Sequence, residues 1–332
     1  MSDYNISFFK EGISEIVSKK KDFLRINEEI ERIDVKKLGE LESDLSFLAI
    51  INYKYKFVFK FADDDGEGLK YEYHILENLF DEIGPYPVLV DVSKSIFSLA
   101  YLIETFVSGK HMQRWFERHL IIFARKIAEL HRIKLPFILG KEAKKIKKLN
   151  VWEYFVTTNE KYFDGTSEMM VDADMKLILP AFQKLLLDNQ YLFDALEEFS
   201  LIHGNLKPAN IVFNETQVFF INWSKAKYFD NARDLATFFY DDMVFANERV
   251  KLEKDRKELF IDNYLRAYWK DTTFKQRLDI WIIFDMFCSL VFCKWKYYNF
   301  NSEGYEKVMT KRQLMEEMYK IVVSLKNKLK LD

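Results

Sequence analysis

Two short stretches of the chain collect side chains that could meet a phosphate or a metal ion. Residues 203–213, HGNLKPANIVF, bring Asn205, Lys207 and Asn210 close together, and Asn222 follows in FINWS. A lysine ammonium can hold a phosphate, whereas an amide oxygen can contact Mg²⁺ but brings no charge. An amide also has no useful basicity, so Asn205 cannot serve as a general base.

The composition predicts one large folded domain or two small ones. The chain has 332 residues, 49% of them hydrophobic, with 31 Phe and 18 Tyr, which suffices for a sizeable core and argues against disorder. Gly (10) and Pro (5) are scarce, which favours long helices over a turn-rich β protein. The net charge of −2 gives no general reason to expect a nucleic acid or an anionic membrane as partner.

Neither the N-terminus nor the cysteines indicate a secreted or membrane protein. The first residues lack a continuous apolar run behind a basic start, so they do not predict a secretory signal. The longest apolar run, 280–293, is too short to span a bilayer and contains Asp285. Cys288 and Cys293 lie in that run, which predicts two buried thiols in a cytosolic protein and no disulfide framework or metal site.

The first ~105 residues are predicted to form a small α+β unit. Residues 5–32 show helical periodicity. Between 46 and 62, SFLAIIN and YKYKFVFKFA flank a short polar turn, and the second run alternates as a strand does. An amphipathic helix is predicted in LKYEYHILENLFDEI, and two more strands in PVLVDVSKS and IFSLAYLIETF.

From about residue 112 the pattern becomes helical. Helices are predicted over RWFERHLIIFARKIAELHRIK, over 180–200 and from about 232 to the end, and the basic stretch KEAKKIKKLN is predicted as a solvated helix face. A loop and two short strands, NIVFN and QVFFINW, interrupt this pattern within 201–224. The boundary between the two units falls near 103–109, and a cleft between two such units is a common place for a ligand.

The segment 203–236, HGNLKPANIVFNETQVFFINWSKAKYFDNARDLA, resembles the aminoglycoside phosphotransferase and choline kinase-like family, the small-molecule relatives of protein kinases. The family pattern is HGD, four residues, Asn, a hairpin, IDW or IDF, and a DLA segment; every landmark except two aspartates is present at the right spacing. The likeness runs from about 35 to 240 and implies an α+β, two-lobed protein kinase-like fold. A small, mostly β N-terminal lobe with one main helix, 1–104, would precede a large helical C-terminal lobe, 105–332, that carries the hairpin 203–224.

Three earlier residues match positions that contact nucleotide in this family. Lys60 ends FVFK on a predicted strand, so Val58 and Lys60 share a face. The resemblance implies that Lys60 pairs with the α- and β-phosphates of ATP and that Val58 covers the base. Glu72, on the next helix, matches the acid that pairs with this lysine. The residues by themselves leave one alternative open for each. Lys60 could be an ordinary exposed lysine of a strand, and Glu72 could lie on a solvated helix face.

Two loops complete the nucleotide site that the resemblance implies. The phosphate loop should be GELESDLSF, 39–47, in which Ser43 and Ser46 could donate to phosphate. The segment IETF, with Glu104 and Phe106, should form the hinge whose backbone pairs with adenine.

Two asparagines stand where the family has functional aspartates. Asn205 matches the catalytic aspartate, and the loss of a positioned base typically costs ~10²–10⁴ in rate. Asn222 matches the metal-binding aspartate, and Asn210 matches a second metal ligand that is itself an amide, so Mg²⁺ would meet no protein carboxylate. Asp234, in RDLA, matches the aspartate that braces the catalytic loop, and His203 is predicted to brace it as well.

These replacements lead to two hypotheses for the function. The first is a pseudokinase that binds nucleotide, a protein partner or both, with phosphotransfer lost or weak. The second is an active ATP-dependent kinase that phosphorylates a hydroxyl of an aminoglycoside-, choline- or sugar-like acceptor. A cationic acceptor would need an acidic or aromatic pocket. Five residues could supply that pocket or could equally belong to core and surface: Tyr240, Asp241, Asp242, Trp281 and Asp285.

Overall fold

The chain folds into an N-terminal antiparallel sheet with two helices, followed by a largely helical part. This computed structural model describes residues 6–38, 45–79, 83–111, 115–134, 137–138, 141–142, 148–163, 169, 172–240, 252–268, 271–299 and 310–331. The sheet ends at Thr105, and the first helix of the second part begins at Glu117. The predicted α+β class and the kinase-like order of elements are confirmed.

The N-terminal sheet has the strand order β1-β2-β3-β5-β4, and all neighbouring strands are antiparallel. Its strands are β1 Ile33–Leu38, β2 Ser46–Ile51, β3 Tyr55–Ala62, β4 Pro87–Asp91 and β5 Ala100–Thr105. Alternation along β3 turns Phe57, Phe59 and Phe61 to one face, where all three are buried. Val58 and Lys60 therefore lie on the opposite face, as the sequence predicts.

Helix α1, Ile6–Lys19, covers the aromatic face of the sheet. Gly12 permits this contact, since a Cβ on it would lie 2.1 Å from the ring of Phe97. The prediction of a helix over 5–32 is wrong beyond α1. The chain turns at Arg25, which adopts φ 52, and then extends into β1. Six residues of β1 pair with β2, and this pairing supplies backbone hydrogen bonds that local helical periodicity does not reveal.

Helix α2, Glu67–Glu77, packs against β3, β4 and β5. The sequence predicted this helix over 69–83, so it begins and ends earlier than expected. Gly66 precedes it with φ 74, and a Cβ there would lie 2.6 Å from Ala100, so both conformation and space favour glycine. The helix therefore starts close against the sheet.

The C-terminal part packs its helices around one large apolar core. These helices are α3 Glu117–Arg132, α4 Val151–Phe163, α5 Ala173–Asp188, α6 Gln190–Asp194, α7 Asn231–Phe239, α8 Lys254–Tyr268, α9 Phe274–Tyr298 and α10 Lys311–Leu329. The short strands are β6 Phe137–Ile138, β7 Lys141–Glu142, β8 Ser200–Ile202, β9 Ile211–Phe213, β10 Val218–Phe220 and β11 Lys227–Phe229. Pairing of β9 with β10 confirms the hairpin predicted from NIVFN and QVFFINW.

The predictions from local periodicity differ from the structure at three elements of this part. The helix predicted over 180–200 begins earlier, in α5, and its end is wrong because Ser200 opens β8, which pairs with the distant strand β11. In the basic stretch, Lys141 and Glu142 belong to a strand that pairs with β6. The residues 143–147 that follow lie outside the described part of the chain. Helix α4 was not predicted.

The long apolar run of the sequence lies within α9. Cys293 is buried there and Cys288 half-buried, both thiols are unpaired, and burial raises the pKa of each to about 12. These thiols therefore stay neutral at ordinary pH. Among the described residues, no helix combines the length and the apolar character needed to cross a membrane.

A buried arginine joins α9 to the segment before α7. The Arg277 guanidinium donates to Asp230 at 3.0 Å and to Asp271 at 2.7 Å, and its side chain is fully buried. Asp230 also accepts a hydrogen bond from Trp281 Nε1 at 2.7 Å. A buried charge without its partner is strongly destabilising, so this cluster should hold the C-terminal helices together.

Replacing Arg277 by methionine should lower the free energy of unfolding by about 3–5 kcal/mol, because Asp230 would keep a buried charge without its cation. Lys275→Met is the matched control on the same helix, since Lys275 pairs with Asp262 at an exposed site. The control should change the free energy by less than about 0.5 kcal/mol. Urea unfolding of the two variants measures both values, and equal losses would contradict the assigned role of Arg277.

Candidate functional site

A cleft of about 510 Å³ opens between the N-terminal sheet and the loop and hairpin of the C-terminal part. We call it the interlobe cleft. The sheet lines it with Val58, Lys60 and Glu104, and the loop and hairpin line it with Lys207, Asn210 and Asn222. Phe106 and Ser46 also line it. Most of the residues selected from the sequence therefore meet in one cavity.

Lys60 is held by two carboxylates. Its Nζ lies 2.7 Å from Glu72 Oε1 and 2.9 Å from Glu104 Oε1. Burial works against the charge of Lys60, but Glu104 and Glu72 outweigh that effect and hold the pKa of Lys60 above its ordinary value. Lys60 is thus no exposed strand lysine, and Glu72, only 1% exposed, does not lie on a solvated helix face.

Glu72 also connects the sheet to the segment after the hairpin. Its Oε1 accepts a hydrogen bond from the backbone N–H of Trp223 at 2.7 Å. This bond fixes the backbone immediately after Asn222, which adopts a left-handed φ of 70. A non-glycine residue in that conformation is strained, and asparagine tolerates it better than most residues do. One buried carboxylate therefore positions both Lys60 and Asn222.

The side chain of Glu104 was missed by sequence reasoning, which assigned only a backbone role to the segment 103–106. Glu104 pairs with Val58 in the register of β3 and β5, so both side chains face the interlobe cleft. Burial raises the pKa of Glu104 to about 7, against the opposing effect of Lys60 and with a further rise from Glu72. This orientation depends on the register between β3 and β5, which alternation within either strand alone does not give.

The backbone of the predicted hinge is partly engaged inside the sheet. The Phe106 N–H donates to the Lys56 carbonyl at 3.1 Å, and the Thr105 N–H donates to Tyr86 at 2.9 Å. Neither N–H is therefore open to a base in this arrangement. Of the predicted phosphate-loop residues, Ser46 lines the cleft, while Ser43 lies outside the described part of the chain.

The loop from His203 to Asn210 is braced from behind by Asp234. Its two carboxylate oxygens accept the backbone N–H groups of His203 and Gly204, each at 2.8 Å. Burial raises the pKa of Asp234, but hydrogen bonds from the His131 side chain and the His203 backbone bring it below the ordinary value. Gly204 adopts φ 75, and a Cβ there would lie 2.1 Å from the Lys225 carbonyl oxygen, so the loop requires glycine at this position.

The imidazole of His203 is used structurally. Its Nε2–H donates to the Ile221 carbonyl at 3.0 Å, while Nδ1 accepts the Asn205 N–H at 3.3 Å. These two bonds define one neutral tautomer, and burial lowers the pKa of His203. Both ring nitrogens are therefore committed to the backbone, as expected of a bracing residue.

The amide side chains present no carboxylate to a metal. Asn210 Nδ2 donates to the Asn205 carbonyl at 2.8 Å, which leaves its amide oxygen as the atom that could face the cleft. Asn205 is half-buried, and its side chain is not among the described ones that line the cleft. Over the described residues, no group of three or more His, Cys, Asp or Glu could hold a metal. This donor set does not fit a carboxylate Mg²⁺ site.

The aromatic and acidic residues considered for an acceptor pocket lie in the core where they are described. Trp281 is fully buried, Asp285 forms an ion pair with Arg233, and Tyr240 is buried. Asp241 and Asp242 lie outside the described residues. The described members of this set therefore form no acceptor pocket. They belong to the core, which was the alternative interpretation of these residues.

No protein-family model matches this chain, and no curated protein matches it in sequence. Among solved structures, a choline kinase from Cryptosporidium parvum Iowa II has a TM-score of 0.65 at 14% identity, covering 96% of this chain and 95% of that chain. An ADP-bound aminoglycoside phosphotransferase has a TM-score of 0.63 at 14% identity, covering 96% and 98%. A phosphotransferase solved with streptomycin and ATP has a TM-score of 0.59 at 14% identity, covering 99% of both chains.

These neighbours have the protein kinase-like fold, and the likeness extends over nearly the whole chain. At this level of identity it shows the fold alone. The interlobe cleft lies between the N-terminal sheet and the loop and hairpin of the C-terminal part, and the lobe boundary near 103–109 stays a prediction.

Replacing Asp234 by asparagine should lower the free energy of unfolding by about 1–3 kcal/mol, because an amide nitrogen cannot accept the N–H of His203 or Gly204. The pKa of Asp234 is depressed, so its stabilising effect is present above the ordinary aspartate pKa and is lost on acidification. The difference between the wild type and the variant should therefore shrink below about pH 4. Urea unfolding at several pH values measures it.

Asp188→Asn is the control, since Asp188 forms an exposed pair with Lys184. It should leave the stability nearly unchanged at every pH. Equal stability of the Asp234 and Asp188 variants at neutral pH would contradict the bracing role.

Proposed function

We propose that this protein is a kinase-fold nucleotide-binding protein whose phosphotransfer is lost or weak, and that it acts through binding. One observation carries the proposal. The ion pair of Lys60 and Glu72 is assembled at an open cleft, yet the positions that would supply a base and a charged metal ligand are the amides Asn205 and Asn222. Such a site can hold an anion without being equipped to transfer a phosphoryl group.

The interlobe cleft suits a nucleotide in size and in the distribution of its side chains. Its volume of about 510 Å³ falls in the range of small-molecule sites, roughly 300–1,000 Å³. Val58, Val212 and Ile221 offer apolar surface for a base, while Lys60 and Lys207 offer cations for phosphates. Neighbouring structures that contain ADP or ATP support the same assignment.

Weak phosphotransfer follows from what the amides lack. Phosphoryl transfer depends on positioning and on neutralising charge with metal ions and cations. Asn205 cannot take up the proton of an acceptor hydroxyl, a loss of ~10²–10⁴ in rate for a positioned base. Asn222 and Asn210 bring no charge to Mg²⁺, so neutralisation would fall to Lys60 and Lys207.

An active small-molecule kinase is the second candidate. It is favoured by the bracing of the catalytic loop, since Asp234 and His203 hold the loop backbone as tightly as a working site would need. The neighbour solved with streptomycin and ATP also supports an acceptor-binding role for this fold. The first proposal has a corresponding version, in which this protein binds a protein partner instead of a small-molecule acceptor.

Thermal unfolding with ATP, ADP or no nucleotide, each with Mg²⁺ or with a chelator, tests the nucleotide part. We expect a stabilisation of ~2.7 kcal/mol at 100 times the dissociation constant, equal with and without Mg²⁺ because no carboxylate holds the metal. Lys60→Met should abolish the shift, and Lys184→Met, at an exposed pair on α5, should leave it unchanged. A shift that requires Mg²⁺ would favour the active kinase, and no shift would overturn nucleotide binding.

The double variant Asn205→Asp, Asn222→Asp tests the lost-catalysis part. Restoring both carboxylates should make nucleotide binding depend on Mg²⁺ and raise ATP turnover by ~10² or more over the wild type. Turnover is measured with hydroxyl acceptors of the aminoglycoside, choline and sugar classes. Measurable wild-type turnover equal to that of the double variant would reject the pseudokinase assignment and leave the active kinase. No turnover and no Mg²⁺ dependence in the double variant would mean that the site has decayed beyond these two positions.

A further inference from the structure

A cluster of one cation and two anions lies at the interlobe cleft around Lys60. Lys60 Nζ lies between Glu72 Oε1 at 2.7 Å and Glu104 Oε1 at 2.9 Å. Both carboxylates are buried, at 1% and 3% exposure. With all three groups ionised, the cluster carries one net negative charge, and little water is present to screen it. A ligand that brings phosphates to Lys60 meets this charge first.

The two carboxylates differ in what else holds them. Glu72 has a second partner, the Trp223 N–H at 2.7 Å, so it serves the fold as well as Lys60. Glu104 has Lys60 as its ion-pair partner, and its Oε2 is buried without a hydrogen-bond partner among the described residues. A buried, unpaired carboxylate oxygen is costly. The fold therefore gains less from the Glu104 carboxylate than from Glu72, although Glu104 faces the ligand cavity.

We propose that Glu104 is a specificity-determining residue that competes with ligand phosphates for Lys60, so that the cleft discriminates against phosphate-rich ligands until Glu104 is neutralised. This inference rests on the proposed nucleotide binding and adds that the affinity for phosphate-bearing ligands depends on the charge of Glu104. A lysine ammonium has three N–H donors, and Glu72 and Glu104 engage two of them. Phosphate oxygens can take the third, but they approach a net anion as long as Glu104 is ionised.

Neutralisation of Glu104 is within reach near neutral pH. Burial, and the neighbouring charge of Glu72, raise the pKa of Glu104 to about 7 against the effect of Lys60. Among the described residues, the charged groups that shift its pKa are Lys60 on β3 and Glu72 on α2, while its neighbour on β4, Pro87, is uncharged. Protonation at lower pH removes the competing anion, so nucleotide affinity should rise as the pH falls through about 7.

The test compares Glu104→Gln with the wild type by calorimetric titration with ADP and with adenosine, in chelator, at pH 6 and pH 8. A group that titrates near pH 7 is roughly one-tenth protonated at pH 8 and nine-tenths at pH 6, which predicts a roughly tenfold change in apparent affinity. E104Q should bind ADP roughly tenfold more tightly than the wild type at pH 8 and equally at pH 6. Adenosine, which lacks phosphates, should bind both proteins equally.

Glu67→Gln is the matched control, because it removes one carboxylate from an exposed pair with Lys70 at the start of α2. It should bind ADP as the wild type does at both pH values. Protonation of ADP itself affects both proteins equally at a given pH. The ratio of the E104Q affinity to the wild-type affinity is therefore independent of it. If E104Q does not fold, Glu104→Met, which also removes the charge, replaces it in the same comparison.

The outcomes separate the two proposals. ADP binding that is equal in E104Q and the wild type at pH 8 overturns the role of Glu104 and leaves nucleotide binding intact. An equal gain for adenosine and ADP also overturns it, since the effect would then not concern phosphates. If neither protein binds ADP or adenosine at either pH, the proposed nucleotide binding fails and the inference fails with it.

Discussion

The arrangement of the site depends on one buried carboxylate, that of Glu72. Its Oε1 accepts from Lys60 on β3 and from the Trp223 backbone after the hairpin, so one oxygen joins α2, the sheet and the C-terminal part. Removing either neighbour would leave a buried charge poorly compensated, which is far costlier than the loss of a surface pair. The relative position of the two sides of the interlobe cleft is thus fixed by electrostatics as well as by apolar packing.

A second buried carboxylate, that of Asp234, positions the loop from His203 to Asn210. Asp234 accepts two adjacent backbone N–H groups, and the neutral imidazole of His203 links the loop to the carbonyl of Ile221. These bonds hold backbone groups of the loop and hairpin, and none of them involves the side chain of Asn205. The geometry of the loop is therefore independent of the residue at position 205. An amide can replace a carboxylate there without loss of the fold.

The site residues that could be predicted from the sequence are those that follow a local pattern. Alternation in β3 placed Lys60 and Val58 on one face, and the hairpin after HGN was placed by two short apolar runs. The pairings of β1 with β2 and of β8 with β11 could not be predicted in this way, because their hydrogen bonds join segments that share no local periodicity. Glu104 was missed for a related reason. Its orientation depends on its register with Val58, a property of two strands together.

Glu104 also bears on the effect of the amide at position 222 on the charge of the cleft. With a carboxylate at position 222, three anionic side chains, counting Glu104 and the buried Glu72 beside it, would stand against Lys60 and Lys207, and a divalent metal would offset the excess negative charge. With asparagine there, the cluster of Lys60, Glu72 and Glu104 keeps its net negative charge, and Lys207 on the loop side of the cleft offsets that charge without a metal. Because the Coulomb energy of buried charges is large, a cleft balanced in this way favours a ligand of low charge over one that brings several negative charges. Under the proposed nucleotide binding, the amide at position 222 and Glu104 would act in the same direction, since the amide brings no charge to a metal and Glu104 competes with phosphates for Lys60.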